Sequence, residues 1–212
     1  MLSIFKKNIL KKDISKEKAY RDYLQVQYDR SLDKYKQEDK SNLEKNRKDE
    51  FNKLIEEQYD FLYCKSALVI GCRNSYELDL LEKKGVKEVI GIDLFSFDQR
   101  IKIIDMHNMN IFKNNTFDLI LSSHSLEHAF DYEKVLDEIY RVIKPGGVLA
   151  IEVPVNYKTM GSDIYDFKTA ENLKDIILKK RKIKKVLLLQ NIPKENNYSG
   201  TDISRVIVTF YK

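Results

Sequence analysis

The chain has 212 residues, of which 42% are hydrophobic and 33% are charged. Domains usually hold about 100 to 200 residues, so we expect one domain with an appended segment, and the hydrophobic content excludes wholesale disorder. The net charge of +5 is the small difference between 38 cationic and 33 anionic side chains, which favours an ordinary solvated surface over a nucleic-acid-binding patch.

No apolar stretch approaches the roughly 20 residues of a membrane span, and Lys6 and Lys7 interrupt the only run that resembles the core of a signal peptide. We therefore expect a cytoplasmic protein. The two cysteines, Cys64 and Cys72, are too few for a disulfide framework or a thiolate zinc site, so we expect buried, reduced thiols.

The segment 14–62 lacks glycine and proline and predicts two amphipathic helices, with a polar break at 37–42. Their apolar stripes are Tyr20, Leu24, Tyr28, Leu32 and Tyr35 in the first, and Leu43, Phe51, Leu54, Ile55 and Tyr59 in the second. We expect both stripes to pack against the main domain, with a homodimer through these helices as the weaker alternative because no heptad persists. The predicted organisation is a helical extension over 1–62 and a main domain over 63–212.

Seven short apolar runs follow and predict seven strands: SALVIG, KEVIGID, IKIID, FDLILSS, GGVLAIEVPV, KKVLLLQ and SRVIVTFYK. Helical patterns at 76–84, 131–143 and 170–180 lie between several of them, which is the alternation of an α/β, doubly wound, mostly parallel sheet. Only IPKENNYSGTDI joins the last two runs, so the seventh strand should be antiparallel to the sixth.

In such sheets ligands bind beyond the carboxyl ends of the strands. Gly71 ends the first strand at a sharp turn before a helix that Asn74 and Glu77 should cap. Asp93 ends the second strand about twenty residues later, where an acid accepts hydrogen bonds from ribose hydroxyls. Together these two positions predict a nucleotide-like ligand.

The third strand ends in Asp105, Met106 and His107, where we expect an adenine ring against Met106 and its amino group on Asp105. The fourth is followed by SSHSLEH, and the segment IYRVIKPGG leads into the fifth, with Pro145 and Gly146 ending a helix.

The stretches NTFDLILSSHSLEHAFD and EIYRVIKPGGVLAIEVP, within 67–155, resemble class I S-adenosylmethionine-dependent methyltransferases of the methyltransferase type 11 group. The resemblance implies the strand order 3-2-1-4-5-7-6, S-adenosyl-L-methionine on the glycine loop, and its ribose on Asp93. It also implies that Glu127 braces Arg141. The expected cofactor contacts are Gly71, Cys72, Arg73, Asn74, Asp93, Leu94, Asp105, Met106, His107, Ser122 and Ser123.

The glycine loop departs from the family at three positions, where Val69 replaces an acid and Arg73 and Ser75 replace glycines. We expect Arg73 to pair with the carboxylate of the cofactor, or else to be a solvent-facing loop residue.

All three histidines of the chain follow the third and fourth strands. Methyl transfer to oxygen benefits from a base, so His124 is the first candidate and His128 the second, against structural roles for both; His107 should flank the adenine pocket. HSLEH also matches an inverted zinc-protease signature, but it follows a strand and not the required helix, so we expect no metal.

The acceptor is expected to be a small molecule. The chain lacks the N-P-P-Y and Pro-Cys motifs of nucleic-acid methyltransferases, which argues against a nucleic-acid substrate. Tyr157, Asp163 and Asp166 lie in a polar loop over the expected substrate mouth, and a sugar or sugar-nucleotide hydroxyl of surface-polysaccharide synthesis is the favoured acceptor. A binding module without catalysis and a nicotinamide-dependent dehydrogenase are the alternatives.

Overall fold

The computed structural model describes residues 2–37, 42–159, 162–179 and 181–211, with side chains from Ser15 onward except at 34, 35, 37 and 42–44. Two helices open the chain, α1 (Leu2–Gln37) and α2 (Asn42–Gln58). No helix in the described part is both long and apolar enough to cross a membrane.

One seven-stranded sheet follows, in the order β3-β2-β1-β4-β5-β7-β6. Its strands are β1 (Ser66–Ile70), β2 (Glu88–Asp93), β3 (Ile101–Ile103), β4 (Phe117–Ser123), β5 (Ile143–Val155), β6 (Ile183–Ile192) and β7 (Asp202–Phe210). The first five strands are parallel, and β7 is antiparallel to both β5 and β6. The predicted fold class and strand order are confirmed.

Three helices join the strands: α3 (Tyr76–Lys83), α4 (Tyr132–Val142) and α5 (Ala170–Leu178). The central strand β1 is buried along its whole length, because helices cover both faces of the sheet. On one face α4 and α5 close a core around Leu68, Ile120 and Ile151. On the other face α2 and α3 close a second core around Val69 and Leu119.

The helix α2 packs as its stripe predicts, because Phe51 and Ile55 are buried in the second core with Tyr59 beside them. Leu43 lies outside the described side chains.

The buried face of α1 differs from the predicted stripe. Tyr23 and Gln27 are buried while Tyr28 is 39% exposed, so the contact face is rotated by about one residue. The reason is that α1 covers a polar cavity and not an apolar sheet face, so amide and hydroxyl groups turn inward. Tyr35 lies outside the described side chains.

The helix α4 ends at Val142, before the predicted stop at Pro145 and Gly146. The segment IKPGG instead begins β5, and the pairing register shifts between Phe117 and Leu119 of β4. Gly146 takes a φ of +76°, which places the turn inside an irregular strand.

Candidate functional site

A cavity of about 360 Å³ lies beyond the carboxyl ends of β1, β2 and β4. Loops after these strands form its floor, and the helices α1 and α2 form its cover. From the sheet side it is lined by Ile70, Gly71, Arg73, Glu77, Ile92, Asp93, Leu94, Ile104, Asp105, Met106, Ser123, His124, Ser125 and His128. From the cover and the loop between β6 and β7 it is lined by Tyr23, Gln27, Arg30, Ser31, Arg47, Lys48, Tyr198 and Ser199.

The turn after β1 requires glycine twice over. Gly71 has a φ of +72°, and a Cβ atom there would lie 2.0 Å from the Oγ of Ser125 and 2.6 Å from its Cβ. The Ser125 hydroxyl lies 3.1 Å from the carbonyl oxygens of both Ile70 and Ser123 and donates its one proton to either of them, which links the ends of β1 and β4. The floor of the cavity therefore depends on glycine at position 71.

We predict that Gly71→Ala destabilises the protein more than Gly85→Ala. Gly85 has a φ of +90° with nothing within 4 Å of a built Cβ, so it isolates the backbone cost of about 1 to 2 kcal/mol. Gly71→Ala should lose about 1 to 3 kcal/mol more, because Ser125 must be displaced. Urea unfolding of both variants measures the difference, and equal losses would show that Ser125 moves away without cost.

Asp93 faces the cavity from the end of β2. Its Oδ2 accepts the backbone N–H of Arg73 at 3.0 Å, and its Oδ1 accepts the hydroxyl of Ser31 at 3.2 Å and the N–H of Phe95 at 3.2 Å. Burial raises the pKa of Asp93, while these donors and the charge of Arg73 act in the opposite direction. The loop after β1 and the acid after β2 thus form one unit, which α1 closes with a hydroxyl.

Asp105 is held in the same way by a second hydroxyl of α1, since Tyr20 donates to its Oδ2. His107 donates its backbone N–H at 2.9 Å and faces Oδ1 with Nδ1 at 2.6 Å. The Nε2 atom of His107 accepts the N–H of Asp131 at 3.2 Å, which assigns the ring proton to Nδ1. Burial raises the pKa of Asp105, but the bonds from His107 and Tyr20 outweigh it and hold that pKa below its usual value.

The helix α2 contributes two buried cations. Arg47 donates to the Oγ of Ser123 at 2.6 Å and to the Oε1 of Glu152, a carboxylate with no exposed surface. Arg205, also fully buried, donates to the Oε2 of Glu152 at 2.7 Å and reaches Glu50 at 3.2 Å. The alternating charges compensate one another, which is what makes their burial tolerable.

The second cation, Lys48, pairs with Glu77 at 3.0 Å, and both side chains are buried. Glu77 therefore does not form the predicted capping box. The helix α3 begins after Ser75, and Asn74 accepts the N–H of Tyr76 at 3.2 Å in a local turn. The burial of Lys48 against α3 explains the difference, since its charge needs a carboxylate partner.

His124 directly follows β4 with a φ of +51°, and its N–H donates to the carbonyl oxygen of Glu152 at 2.9 Å. Its Nε2 is buried 3.5 Å from the Oε1 of Glu152 and has no hydrogen-bond partner among the described residues. Burial lowers the pKa of His124 well below its ordinary value, and the charge of Arg47 lowers it further. The imidazole is therefore neutral at neutral pH.

His128 lies at the end of a short turn, Leu126–His128, and joins three segments. Its Nδ1 lies 2.9 Å from the Oδ1 of Asp163, in the loop after β5, and 2.8 Å from the Nη1 of Arg30 in α1. Gln27 reinforces this contact by donating to the carbonyl oxygen of Ser162 at 2.9 Å. The turn replaces the helix that the zinc-protease signature requires, so that motif lacks its structural context.

The expectation that Glu127 braces Arg141 is wrong. Arg141 pairs with Glu138, one turn away on α4, with Nε 2.7 Å from Oε1, and donates to the carbonyl oxygens of Met109 and Phe112. Glu127 lies among the histidines instead. The nearby Glu138 satisfies the guanidinium locally, so no longer contact forms.

Of the predicted site residues, the structure brings nine to the cavity: Gly71, Arg73, Asp93, Leu94, Asp105, Met106, Ser123, His124 and His128. Four do not line it. Cys72, His107 and Ser122 are buried behind the lining, and Asn74 caps the turn before α3. The Cys72 sulfur fills the space beside Gly91, where a Cβ would lie 2.5 Å from it, and burial raises the pKa of this thiol.

Sequence reasoning missed the polar residues of the cover, including Arg30, Ser31, Arg47 and Lys48. These cationic and hydroxyl residues lie between the apolar positions of α1 and α2 in the sequence. The same pattern is typical of a solvent-exposed helix face, so it did not identify them as site residues.

An open sheet in this strand order, with a cavity beyond the carboxyl ends of its first strands, defines the class I methyltransferase fold. Residues 68–151 match the family model described as "Methyltransferase domain". The resemblance seen in the sequence is confirmed over this segment, which is about two fifths of the chain.

Relatives in sequence include the mouse "Arginine-hydroxylase NDUFAF5, mitochondrial", 34% identical over 91 residues, which are 39% of this chain and 26% of that protein. The demethylmenaquinone methyltransferase of Listeria welshimeri is 38% identical over 61 residues, which are 24% of this chain and 26% of the relative. The matched regions thus span about a quarter of these relatives.

Among solved structures, the Burkholderia thailandensis 1,6-didemethyltoxoflavin-N1-methyltransferase with bound S-adenosylhomocysteine is similar with a TM-score of 0.67 and 14% identity, over 91% of this chain and 90% of that one. The [4+2]-cyclase SpnF is similar with a TM-score of 0.57 and 14% identity, over 77% and 81%. At this identity the likeness concerns the fold, which a cyclase shares with methyltransferases.

Proposed function

We propose that this chain is an S-adenosyl-L-methionine-dependent methyltransferase that methylates an oxygen atom of a small-molecule acceptor. The observation that carries the proposal is the pairing of Asp93 with the loop of Gly71 and Arg73 at the wall of the cavity beyond β1, β2 and β4. An acid after β2 that faces the turn after β1 is the arrangement that binds the ribose of a nucleoside in open α/β sheets.

The residues present fit this cofactor. The missing Cβ of Gly71 leaves room for close backbone approach, and Asp93 offers carboxylate oxygens to two ribose hydroxyls. Asp105 and Met106 line the cavity where the adenine would lie, and Arg73 lies on the loop that would meet the carboxylate of the amino-acid end. When bound, the cofactor supplies an electrophilic methyl group on a sulfonium sulfur.

The chain itself must align the acceptor, exclude water and receive a proton. Neutral His124 lines the cavity after β4 and is the proposed base, with His128 the second candidate. The helical extension, residues 1–62 in this proposal, excludes water through the contacts of Tyr20, Ser31 and Gln27 with the domain.

The proposed acceptor is a sugar or sugar nucleotide, as in surface-polysaccharide synthesis, acted on in the cytoplasm. The loop after β5 supports a polar acceptor less directly than its sequence predicts. Asp163 pairs with His128, Asp166 pairs with Lys168 at 2.7 Å, and the Tyr157 hydroxyl donates to the Tyr165 carbonyl oxygen at 3.3 Å. Tyr198 and Ser199, which line the cavity from the loop between β6 and β7, add polar groups at its mouth.

A binding module without catalysis is the second candidate, because Arg73 takes a left-handed φ of +55° at a position where glycine is easier to accommodate. Incubation with radiolabelled S-adenosylmethionine and a panel of sugar nucleotides separates the two. We expect label in one acceptor class, and binding of S-adenosylhomocysteine without transfer to any acceptor would favour the binding module.

A further inference from the structure

Two arginines of the cover reach the end of the cavity that holds both candidate bases. Arg30 of α1 and Arg47 of α2 line this cavity. The Nη1 atom of Arg47 donates to the Oε1 of Glu152, and the same oxygen lies 3.5 Å from the Nε2 of His124. The Nη1 atom of Arg30 lies 2.8 Å from the Nδ1 of His128. Two guanidinium groups therefore lie beside the place where the acceptor must meet its base.

Each of these guanidinium groups contacts the described residues through Nη1. In addition to the contacts above, Nη1 of Arg47 donates to the Oγ of Ser123 at 2.6 Å, and Nη1 of Arg30 lies 3.4 Å from the Oδ1 of Asp163. A guanidinium has five N–H donors, so three remain on Nε and Nη2. These two atoms form an edge that can bind a carboxylate or a phosphate with two parallel hydrogen bonds.

The Nε–Nη2 edges are also accessible. Some buried polar atoms lack a hydrogen-bond partner in the described part of the chain, but no nitrogen of Arg30 or Arg47 is among them. The side chain of Arg30 is 32% exposed and that of Arg47 is 8% exposed. Both groups can therefore bind an oxyanion without giving up their present contacts.

The charges around His124 favour an anion. Burial lowers the pKa of this ring, and the charges of Arg47 and Arg30 lower it further. The nearest carboxylate, that of Glu152, already binds two buried guanidinium groups. An anion at this end of the cavity would therefore meet charges of the opposite sign.

The proposed cofactor does not account for both arginines. S-adenosylmethionine carries one carboxylate, and Arg73, on the loop after β1, is its proposed partner. Arg30 lies instead beside His128 and Asp163, next to the loop after β5 that covers the expected substrate mouth. A second anion, carried by the acceptor, fits these two groups.

We propose that the acceptor carries an oxyanion, a carboxylate or a phosphate, which the Nε–Nη2 edges of Arg30 and Arg47 bind so that its hydroxyl lies beside His124. The inference rests on the proposed function and narrows its acceptor class, since a sugar acid or a sugar nucleotide satisfies it and a neutral sugar does not. Binding through two such edges also orients the acceptor, which a direct displacement requires.

The first test needs no identified acceptor. Protein saturated with S-adenosylhomocysteine is titrated at constant ionic strength with malonate, inorganic pyrophosphate or glucose, while NMR follows the Nε–H signals of its arginines. We expect saturable shifts of the Arg30 and Arg47 signals with malonate or pyrophosphate and none with glucose. The stronger of the two oxyanions separates a carboxylate site from a phosphate site.

The internal control of this titration is Arg21, whose side chain is 72% exposed on α1. Because the cofactor product already fills its own carboxylate site, the shifts report a second anion. An Arg30 or Arg47 signal that moves no further than that of Arg21 with both oxyanions would overturn the proposal.

The second test uses the acceptor that the radiolabel screen identifies and the same sugar without its charged group. The neutral compound should have a kcat/KM at least about 10-fold lower, because it lacks hydrogen bonds between charged groups. Arg30→Gln and Arg47→Lys should each raise the KM of the charged acceptor by about 10- to 150-fold. Lysine at position 47 keeps a charge for Glu152 but lacks the two-donor edge.

Arg21→Gln is the matched control and should leave the KM unchanged. Equal use of the charged and the neutral acceptor, or a native KM in both Arg30→Gln and Arg47→Lys, would contradict an acceptor anion at this site.

The two levels of proposal fail separately. If S-adenosylhomocysteine does not bind the native protein, the proposed function fails. If Arg30→Gln or Arg47→Lys weakens binding of S-adenosylhomocysteine but not of methylthioadenosine, which lacks the amino-acid end, that arginine holds the carboxylate of the cofactor. In that case the proposed function stands and the acceptor anion fails.

Discussion

Replacing His124 by alanine should lower the turnover number by about 10²- to 10⁴-fold, which is the usual contribution of a positioned base. The ring lines the cavity beyond β1, β2 and β4, lies directly after β4 and is neutral because burial lowers its pKa well below the ordinary value. Affinity for S-adenosylhomocysteine should change little, because the proposed ribose and adenine contacts lie on the loops after β2 and β3. Steady-state kinetics with the identified acceptor gives the ratio.

His128→Ala is the matched control and should cost less, since His128 is the second candidate base and its Nδ1 already faces Asp163 and Arg30. Near-normal turnover in His124→Ala would show that alignment alone drives transfer. A base with the ordinary pKa of imidazole would give an activity that rises with pH near neutrality. With the pKa of His124 lowered, no such rise near neutrality belongs to this ring.

Arg205→Met should lower the free energy of unfolding by about 3 to 5 kcal/mol, the typical cost of breaking a buried ion pair. Neither Arg205 nor Glu152 has exposed surface, and the variant leaves the Oε2 of Glu152 without the donor that now lies 2.7 Å away. Arg47 still neutralises part of the charge through Oε1, which keeps the expected loss within this range. Urea denaturation with linear extrapolation measures it.

The matched control is Arg21→Met. Arg21 lies 3.9 Å from Glu17 on the exposed side of α1, with more than 70% of each side chain exposed, so its loss should cost at most about 0.5 kcal/mol. Equal effects of the two substitutions would mean that the buried network contributes nothing beyond the packing of one side chain.

The sheet was predictable from the sequence because its strands are continuous apolar runs. Short apolar runs such as FDLILSS predict a buried strand. The lack of a helical pattern before β7 made its antiparallel direction predictable. The segment IKPGG was assigned to the end of a helix because proline and glycine favour a stop, yet Ile143 already pairs with Phe117 in the sheet. Local propensity gave way there to strand pairing.

The site was predictable where it depends on strand ends, as for Gly71 and Asp93, because the topology of the fold places such residues together. It was not predictable where it depends on packing across distant segments. Glu127 lies beside His124 and His128, and Lys48 pairs with Glu77. No local sequence pattern predicts either contact. From the sequence alone, a polar residue in a helix is predicted to face solvent, because its buried partner elsewhere in the chain cannot be identified.

Titration calorimetry with S-adenosylhomocysteine tests the central claim most directly, with native protein, with Asp93→Ala and, in parallel, with a reduced nicotinamide nucleotide. The account predicts saturable binding of S-adenosylhomocysteine to native protein and no binding of the nicotinamide nucleotide. Asp93→Ala should bind about 10- to 150-fold more weakly, as expected for the loss of about 1.5 to 3 kcal/mol from hydrogen bonds to a charged group. Absence of binding to native protein, or unchanged affinity in Asp93→Ala, would contradict the assignment of this cavity to the cofactor.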